Sequence, residues 1–371
     1  MRIASLDRSQ LASARSVLAS SCPFDRADVV ADEKLFGLGP KGAPIAIGAW
    51  MSSDELAGTT SNAATGTPTG TAGGTAIGAV AGADARTASS ASASSNVPAG
   101  YGGEVLVGIA ALCADRIRVL AVSPQVRGRG VGSALLRACE DTARAAGVTT
   151  LRTLDEPGNY LAPGIDVRNT EAITWLERRG WQRSGELREN VLIKVRDNPR
   201  VTPERLATLV DTCAARGYEV RRARADEYAL LDAVSSEFGG AWPFELARAL
   251  EFAGASTTAM PAARPAASSA AMLGASSAAT PGVHVALRDG AYCAFAAHDG
   301  NNAGLGWFGP TGTWPAHRGN GLGEAVLVAC LVDVAAAHEY CEVAWIGPRP
   351  FYDKVAGVVS DRRFVLLTKT L

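Results

Sequence analysis

The sequence lacks several features that would assign it to a familiar class. It contains no run of 18 consecutive apolar residues, so we expect no membrane-spanning helix. Its seven cysteines form no Cys-x-x-Cys pair, so neither a metal site nor a disulfide framework is expected. Lys and Arg number 36 against 37 Asp and Glu, and the net charge of −1 provides no field of one sign to attract nucleic acid or an anionic membrane.

The length and composition are those of a globular protein with more than one domain. A chain of 371 residues exceeds a comfortable single core, and a hydrophobic content of 47% is ordinary for a folded protein. The first 18 residues have the arginines and serines of a transit peptide, but they also read as a strand followed by an amphipathic helix. We therefore expect a cytoplasmic protein, acting as a monomer or homodimer.

Two low-complexity tracts interrupt the chain. Residues 51–103 and 253–282 are rich in Gly, Ala, Ser and Thr and have few large apolar side chains. Such segments cannot bury enough apolar surface to offset the entropy of ordering, so we predict disordered surface loops. Strand-like sequence flanks both tracts, which makes them insertions within domains and not linkers between domains.

The chain contains an internal repeat. The strand-and-helix pattern at its start is echoed at 218–238, and a glycine-rich string at 125–136 recurs at 316–327. Arg127 thereby matches Arg318, 191 residues further on. Self-similarity at this spacing indicates two copies of one domain.

The repeat predicts domain boundaries and a fold class. We place the first domain at 1–198 and the second at 199–371, because Asn198-Pro199 suits a turn before a new helix. Each copy reads as strand, helix, short helix, two or three strands, the glycine turn, helix, strand, helix and final strands. Adjacent strands followed by interleaved helices and strands indicate a mixed sheet of the α+β class.

The glycine turn has the composition of an anion-binding site. Arg127-Gly128-Arg129-Gly130-Val131-Gly132 follows an apolar strand and precedes a helix. The first N–H groups of a helix lack internal partners and lie at the positive end of its dipole, which suits a pyrophosphate. The spacing i, i+3, i+4, i+7 predicts the buried face of this helix in both copies, as Val131, Ala134, Leu135 and Ala138 and as Leu322, Ala325, Val326 and Ala329.

Other interpretations of the turn remain. It could be an ordinary helix start that follows a glycine-containing turn, in which Asn320 acts as the N-cap of the second copy. A Walker A loop is excluded because no Gly-Lys-Ser/Thr follows. A Rossmann fingerprint requires its glycines after the first strand of the domain, whereas here they come late in each copy. The string Pro-x-x-Arg-Gly-x-Gly-x-Gly occurs twice, at Pro124 and Pro315, and this repetition favours an anion site.

The same string resembles the acetyl-CoA-binding signature of the GNAT acyltransferase superfamily. The family pattern Gln/Arg-x-x-Gly-x-Gly/Ala falls on Arg127, Gly130 and Gly132 and again on Arg318, Gly321 and Gly323. The later family motif Asn-x-x-Ala-x-x-Phe-Tyr-x-x-x-Gly-Phe is matched by "NTEAITWLERRGW" from Asn169 and by "GPRPFYDKVAG" from Gly347.

The resemblance implies two tandem GNAT-type domains, each with a largely antiparallel twisted sheet flanked by helices. It also implies acetyl-CoA as the acetyl donor and a small-molecule amine as the acceptor. The implied acetyl-CoA-binding residues are Val122, Arg127, Gly128, Arg129, Gly130, Val131, Gly132 and Ser133 in copy one and Thr313, Arg318, Gly319, Asn320, Gly321, Leu322, Gly323 and Glu324 in copy two. A narrower resemblance, to tandem glucosamine and glucosaminide N-acetyltransferases, implies an amino-sugar acceptor.

The resemblance also implies a catalytic acid. Tyr352, in "PFYDK", falls where these enzymes commonly keep the tyrosine that protonates the leaving thiolate, although it could also be a packing aromatic. Copy one has Leu176 there, so we expect the C-terminal domain to carry catalysis and the N-terminal one to bind CoA or shape the acceptor pocket. In copy one, Tyr160 could act as the acid only through a geometry that the sequence does not reveal. Candidate general bases are Asp155, Glu156, Asp166, Glu342 and Asp353.

The leading functional hypothesis is therefore direct acetyl transfer to a small primary amine in a ternary complex. One alternative is an acetyl-CoA-binding regulatory or scaffolding module with little turnover. Another is acetylation of a peptide or protein amine, about which the near-neutral charge is uninformative.

Overall fold

The computed structural model describes residues 1–57, 103–257 and 281–371. In the N-terminal half the strands among these residues are β1 (Arg2–Ser5), β2 (Ile45–Ser52), β3 (Glu104–Cys113), β4 (Arg116–Val122), β5 (Thr150–Thr153), β6 (Ile165–Asp166) and β7 (Gln182–Lys194). The helices of this half are α1 (Leu11–Ser21), α2 (Ala31–Phe36), α3 (Ser53–Ala57), α4 (Val131–Ala145) and α5 (Thr170–Glu177).

The C-terminal half repeats this order after an additional helix, α6 (Pro203–Ala214). Its strands are β8 (Glu219–Arg222), β9 (Gly282–Arg288), β10 (Ala291–His298), β11 (Trp307–Thr313), β12 (Tyr340–Val343) and β13 (Val358–Thr370). Its other helices are α7 (Ala229–Glu237), α8 (Trp242–Thr257), α9 (Leu322–Ala335) and α10 (Arg349–Val355). None of the helices in the described ranges is long and apolar enough to cross a membrane.

The edges of the two predicted insertions were wrong. Residues 51 and 52 belong to β2, because Met51 and Ser52 pair with Val105 and Glu104 across the sheet and Met51 is buried. Helix α3 follows directly. At the second insertion, α8 continues to residue 257 and β9 begins at residue 282. The remaining parts of both predicted loops, 58–102 and 258–280, lie outside the described residues.

All strands within the described ranges belong to one mixed sheet. The strand order is β1-β2-β3-β4-β5-β13-β7-β12-β11-β10-β9-β8, and β6 pairs with β13 beside this path. Neighbours are antiparallel except β4 with β5 and β11 with β12, which are parallel. The α+β class with a mixed, largely antiparallel sheet is confirmed. The pair β4 and β5 in the N-terminal half corresponds to the pair β11 and β12 in the C-terminal half. The two halves therefore repeat the same strand arrangement.

The two halves exchange their last strands. The final strand of the chain, β13, pairs with β5 and β6 of the N-terminal half, with Phe364 opposite Asp166 and Val365 opposite Ile165. Strand β7, the last of the N-terminal half, pairs with β12 of the C-terminal half as well as with β13. Each half therefore completes the sheet of the other.

Helices cover both faces of the sheet, and the glycine-turn helices differ in burial. Helix α4 buries Val131, Leu135 and Cys139 against the sheet, whereas the predicted core positions Ala134 and Ala138 are only half-buried. Helix α9 is buried nearly all round, with Leu322, Ala325, Val326 and Ala329 in the core as predicted. The difference arises because α6, which precedes only the second copy, packs along α9.

Candidate functional site

The two glycine turns have the same backbone conformation. Gly130 and Gly321 are the N-caps of α4 and α9, each with φ of 84°. Gly128 and Gly319 have φ values of 77° and 78°. These left-handed conformations favour glycine, since the Cβ of any other residue would come too close to the carbonyl oxygen that follows it in the chain. The repeated sequence therefore folds into a repeated turn.

The N-terminal turn leaves room and hydrogen-bond donors for an anion. Nothing lies within 4 Å of where a Cβ would stand on Gly128 or Gly130. The first internal hydrogen bond of α4 runs from Ala134 N to Gly130 O, at 3.0 Å, so the three N–H groups before Ala134 have no helical partner. Arg127 braces the turn, because its Nε and Nη2 donate to Val122 O and Ser21 O.

A cavity of about 770 Å³ opens on this turn. All the residues predicted to bind acetyl-CoA in copy one, except Arg129, line it: Val122, Arg127, Gly128, Gly130, Val131, Gly132 and Ser133. Its remaining walls include Ser21 at the end of α1, Pro23 and Phe24 after that helix, Ile117 and Leu120 on β4, Thr153 and Leu154 at the end of β5, Ile165, Arg168 and Asn169 after β5, and Trp175, Leu176 and Arg179 near α5. The volume lies within the range of about 300–1,000 Å³ typical of small-ligand sites.

The cavity follows a gap between two parallel strands. Strands β4 and β5 pair only at Arg116 with Arg152 and at Ile117 with Thr153, and then separate. Leu120 and Val122 on the open edge of β4 line the cavity, which places backbone polar groups beside any ligand there. Leu154, the first residue after β5, has φ of 60°, an uncommon conformation that clusters at functional sites.

The second copy repeats this gap. Strands β11 and β12 pair only at Trp307 with Glu342 and at Phe308 with Val343. Trp345, the second residue after β12, also has a positive φ, of 48°, one position later than Leu154 after β5. Both copies thus retain the backbone geometry of the site.

An arginine–tryptophan pair closes the N-terminal turn on its other side. The Arg179 guanidinium lies 4.0 Å from the ring centroid of Trp175, and its Nη2 donates to Ser133 Oγ at 3.0 Å. Trp175 also packs against Gly132, where a Cβ would stand 3.2 Å from the indole ring. A cation on an aromatic ring beside the helix N-terminus adds a donor for a phosphate and an aromatic surface.

In the second copy, Arg205 of α6 and Arg216, which follows α6, contact the turn. Glu324 accepts from Arg205 Nη2 at 2.7 Å, and Asn320 O accepts from Arg216 Nη1 at 2.9 Å. The Asn320 side chain donates to His317 O at 3.0 Å and does not cap α9, which rules out the N-cap interpretation of Asn320. Arg318 repeats the bracing role of Arg127, because its Nε donates to Thr313 O, which corresponds to Val122.

Tyr352 lies in the core of the C-terminal half, away from the cavity. Its side chain is 5% exposed, and its ring packs edge-on against Phe308 and Phe351 at centroid distances of 6.3 and 5.2 Å. Burial raises the pKa of its hydroxyl to about 12. In the first copy Leu176 lines the cavity, so the cavity and the tyrosine belong to different copies.

Tyr160 does not take the place of that tyrosine. It is buried between the halves, with ring centroids 6.0 Å from Trp307 and 5.7 Å from Trp345, and it is not a wall of the cavity. Burial raises the pKa of its hydroxyl well above the usual range.

The carboxylates that the sequence suggested as general bases all lie beside an arginine. The pairs are Asp155 with Arg152 at 2.5 Å, Glu156 with Arg118 at 2.5 Å, Asp166 with Arg168 at 2.6 Å, Glu342 with Arg362 at 3.2 Å and Asp353 with Arg349 at 3.6 Å. A neighbouring guanidinium stabilises the ionised carboxylate and makes it a weaker proton acceptor. Burial raises the pKa of Glu342.

The cavity walls outside the glycine motif were not predicted from the sequence. Phe24 and Arg168 come from two loops that are far apart in the chain, yet the Arg168 guanidinium lies 4.4 Å from the Phe24 ring centroid. Trp175 and Arg179 belong to the motif that begins at Asn169, so their position relative to the turn could have been inferred. Phe24 and Arg168 carry no pattern that would have singled them out.

The comparisons with known proteins agree with this geometry. Residues 73–181, which include the first glycine turn and α5, match the model of the Acetyltransferase (GNAT) family. A search of curated proteins finds no match. The chain therefore contains a segment that matches this family, and most walls of the cavity lie within it, whereas Ser21, Pro23 and Phe24 lie outside it.

Two solved structures resemble nearly the whole chain. One is a GCN5-related glucosamine N-acetyltransferase region of a fungal multidomain GH3 β-N-acetylglucosaminidase, with 12% identity and a TM-score of 0.62 over 99% of this chain and 38% of that one. The other is a tandem GNAT protein from the clavulanic acid biosynthesis pathway, with 16% identity and a TM-score of 0.58 over 100% of this chain and 98% of that one. The chain thus spans only about two fifths of the first relative, and at these identities the likeness confirms the tandem GNAT fold alone.

Proposed function

We propose that the protein transfers the acetyl group of acetyl-CoA to the primary amine of a small molecule, with the donor bound in the N-terminal copy. The observation that carries this proposal is the cavity, which joins a glycine turn with free N–H groups to the gap between β4 and β5. Acetyl-CoA, with an anionic pyrophosphate at one part and a narrow arm that carries the acyl group, fits such a site. The family match of residues 73–181 supports the same donor.

Different residues of the cavity bind different parts of the donor. The N–H groups at the start of α4 bind the pyrophosphate, and Arg179 on Trp175 lies beside them. The open edge of β4, at Leu120 and Val122, hydrogen-bonds the pantetheine arm in the manner of an added strand. The thioester then lies among Ile117, Thr153 and Leu154, where the strands separate.

The reaction is a direct transfer between two bound substrates. The neutral amine attacks the thioester carbon, the C–N bond forms, the C–S bond breaks, and the sulfur leaves as thiolate. Backbone N–H groups on the open edge of β4 stabilise the oxyanion. The amine nitrogen loses one proton and the thiolate gains one, and in this copy water reaching the cavity carries both, because Leu176 stands where a tyrosine acid would be.

The preference for an amino sugar rests on the narrower sequence resemblance and on the structural relative that is described as a glucosamine N-acetyltransferase region. Glucosamine is therefore the first acceptor to test.

A second candidate places transfer in the C-terminal copy, with Tyr352 as the acid. The specific observation in its favour is the identical φ of Gly130 and Gly321, which gives both copies a competent turn. Tyr352 is protonated at neutral pH, since burial raises its pKa to about 12, and it could donate to a thiolate.

The matched variants Gly130→Asp and Gly321→Asp separate the two candidates. Each substitution introduces a negatively charged side chain at the turn. It also forces a residue with a Cβ to adopt a φ of 84°, which costs about 1–2 kcal/mol of folding free energy. We expect Gly130→Asp to abolish thiol release from acetyl-CoA with glucosamine, and Gly321→Asp and Tyr352→Phe to leave more than half of it. Circular dichroism checks that each variant is folded.

The opposite pattern, with activity lost in Gly321→Asp and Tyr352→Phe and retained in Gly130→Asp, would assign transfer to the C-terminal copy. The assay includes aminoglycosides, polyamines, amino acids and peptides as alternative acceptors. Binding of acetyl-CoA without turnover of any amine would instead identify a binding module.

A further inference from the structure

Two smaller hollows border the cavity at the first glycine turn. One, of about 600 Å³, lies along α5, and its walls include Glu171, Trp175 and Arg178. The other, of about 420 Å³, lies between α4, the end of α5 and β13. Arg179 lines both hollows as well as the cavity, so the three spaces meet at its side chain. A ligand whose phosphates bind at the turn can therefore extend past Arg179.

The hollow beside β13 is strongly cationic, and we call it the cationic hollow. In the described part of the chain its charged walls comprise four cations and one carboxylate: Arg137, Arg178, Arg179, Lys369 and Glu140. Arg137 and Glu140 lie on the same face of α4 as Ser133, four and seven residues further on. A surface with this excess of positive charge attracts anions.

Two of these cations have no partner within the described ranges. Arg137 and Arg178 are exposed, and their guanidinium groups make no hydrogen bond or ion pair there. Lys369 Nζ, in contrast, lies 2.7 Å from Glu140 Oε1, and Arg144 Nη2 lies 3.5 Å from Glu140 Oε2. Because Glu140 is already paired with these two cations, Arg137 and Arg178 are left to bind an anion from solution.

The cationic hollow lies within reach of a ligand bound at the turn. Arg137 comes four residues after Ser133, about 6 Å further along the axis of α4. A single ribose spans this distance, and in CoA a single ribose separates the pyrophosphate from the 3′-phosphate. The hollow along α5 is less suited to a phosphate, because Glu171 there is exposed and makes no ion pair within the described ranges.

We propose that Arg137 and Arg178 bind the 3′-phosphate of the donor and thereby select CoA over dephospho-CoA. The proposal rests on the proposed binding of acetyl-CoA in the N-terminal copy. A phosphate monoester carries a charge of about −1.5 to −2 at pH 7. Two guanidinium groups, one on α4 and one at the end of α5, offer charge-assisted hydrogen bonds to it. Donors that lack this phosphate lose that contribution to binding.

The test measures the binding of CoA and of dephospho-CoA to the full chain by isothermal titration calorimetry. We expect the wild type to bind CoA about 10- to 100-fold more tightly, the range that corresponds to hydrogen bonds between charged groups. Added salt should reduce this preference, because both arginines are exposed and their attraction for the phosphate is screened.

The variants Arg137→Gln and Arg178→Gln should each reduce the preference for CoA, and the double variant should bring the ratio of the two affinities close to one. The affinity for dephospho-CoA stays unchanged, because that ligand lacks the group that the arginines bind. Arg15→Gln is the matched control, since Arg15 is an exposed arginine on α1 that lines none of the three spaces. It removes the same charge and should leave the ratio at its wild-type value.

Equal affinities of the wild type for CoA and dephospho-CoA would overturn this proposal and leave acetyl transfer intact. A preference that survives in the double variant would overturn it as well, and a lower melting temperature with an unchanged ratio would show that Arg178 only stabilises the end of α5. A wild type that prefers CoA but acetylates no amine would support the cationic hollow and overturn the proposed function. Failure to bind CoA at all would overturn both.

Discussion

Glu245 is a carboxyl that the fold buries between its two halves. It lies on α8 and is 6% exposed, near Lys34 and Arg248 and hydrogen-bonded to the backbone of Gly158. Burial outweighs the two neighbouring cations and raises its pKa from the ordinary 4.5 to about 7. A single residue thereby gives the interface a dependence on pH.

Its contribution to stability has a definite sign. Between pH 4.5 and 7 the folded state binds more protons at Glu245 than the unfolded state does, so the stabilisation present below pH 4.5 is lost as the pH rises through 7. We expect the melting temperature of Glu245→Gln, relative to the wild type, to rise between pH 5 and pH 8. Scanning calorimetry measures it, with exposed Glu237→Gln as the control. An equal difference at both pH values would contradict the raised pKa.

Among the elements, β13 has the largest consequences for the site. It inserts between β5 and β7, and through β6 it holds the segment that leads from the end of β5 to α5. Phe364, fully buried on β13, lies opposite Asp166 of β6. Strand β13 therefore transmits changes in the C-terminal half to the cavity wall of the N-terminal half.

Phe364→Ala should accordingly loosen the N-terminal half. Removing a buried phenylalanine costs about 3–5 kcal/mol, and the cavity it leaves lies beside β6. We expect faster amide exchange in β5 and β6, measured by hydrogen–deuterium exchange with mass spectrometry. Phe295→Ala on β10, which removes an equally buried ring, should accelerate exchange in β9 and β10 instead. Identical exchange patterns in the two variants would show that β13 has no such role.

At the scale of the whole molecule, a buried network of charges joins the halves. Lys34 is fully buried, and its Nζ donates to Glu33 Oε1 at 2.5 Å, to Asn159 Oδ1 at 2.8 Å and to Asn301 Oδ1 at 2.7 Å. Arg248 adds a contact of 2.9 Å to Glu33. Because every partner of this ammonium is in place, separating the halves would leave buried charges without partners.

We therefore expect the halves not to fold alone. Fragments 1–198 and 199–371 each lose the strand that the other half supplies, and each exposes part of the charged network. Separately expressed, they should lack cooperative melting transitions, whereas co-expression should restore one transition and acetyl-CoA binding. Calorimetry and circular dichroism check this. Two independently cooperative fragments would establish 1–198 and 199–371 as autonomous domains.

The glycine turn was predictable from sequence because its determinants are local. A left-handed φ at Gly130 and free N–H groups at a helix start depend on a few consecutive residues, and the second copy at Gly321 repeats them. Phe24 and Arg168 were not predictable, because their contact depends on how two loops 144 residues apart are brought together by the sheet.

The sequence by itself determined the repeat, the class of the sheet, the element order and the two turns, since these follow from periodicity and short-range backbone preferences. Only the tertiary structure decided that the first glycine turn opens on a cavity with walls from distant loops, which carboxylates lie beside arginines, and that β7 and β13 change places. Antiparallel strands of either half can satisfy the same hydrogen bonds, so the choice between them rests on long-range packing and on the buried charges of the interface.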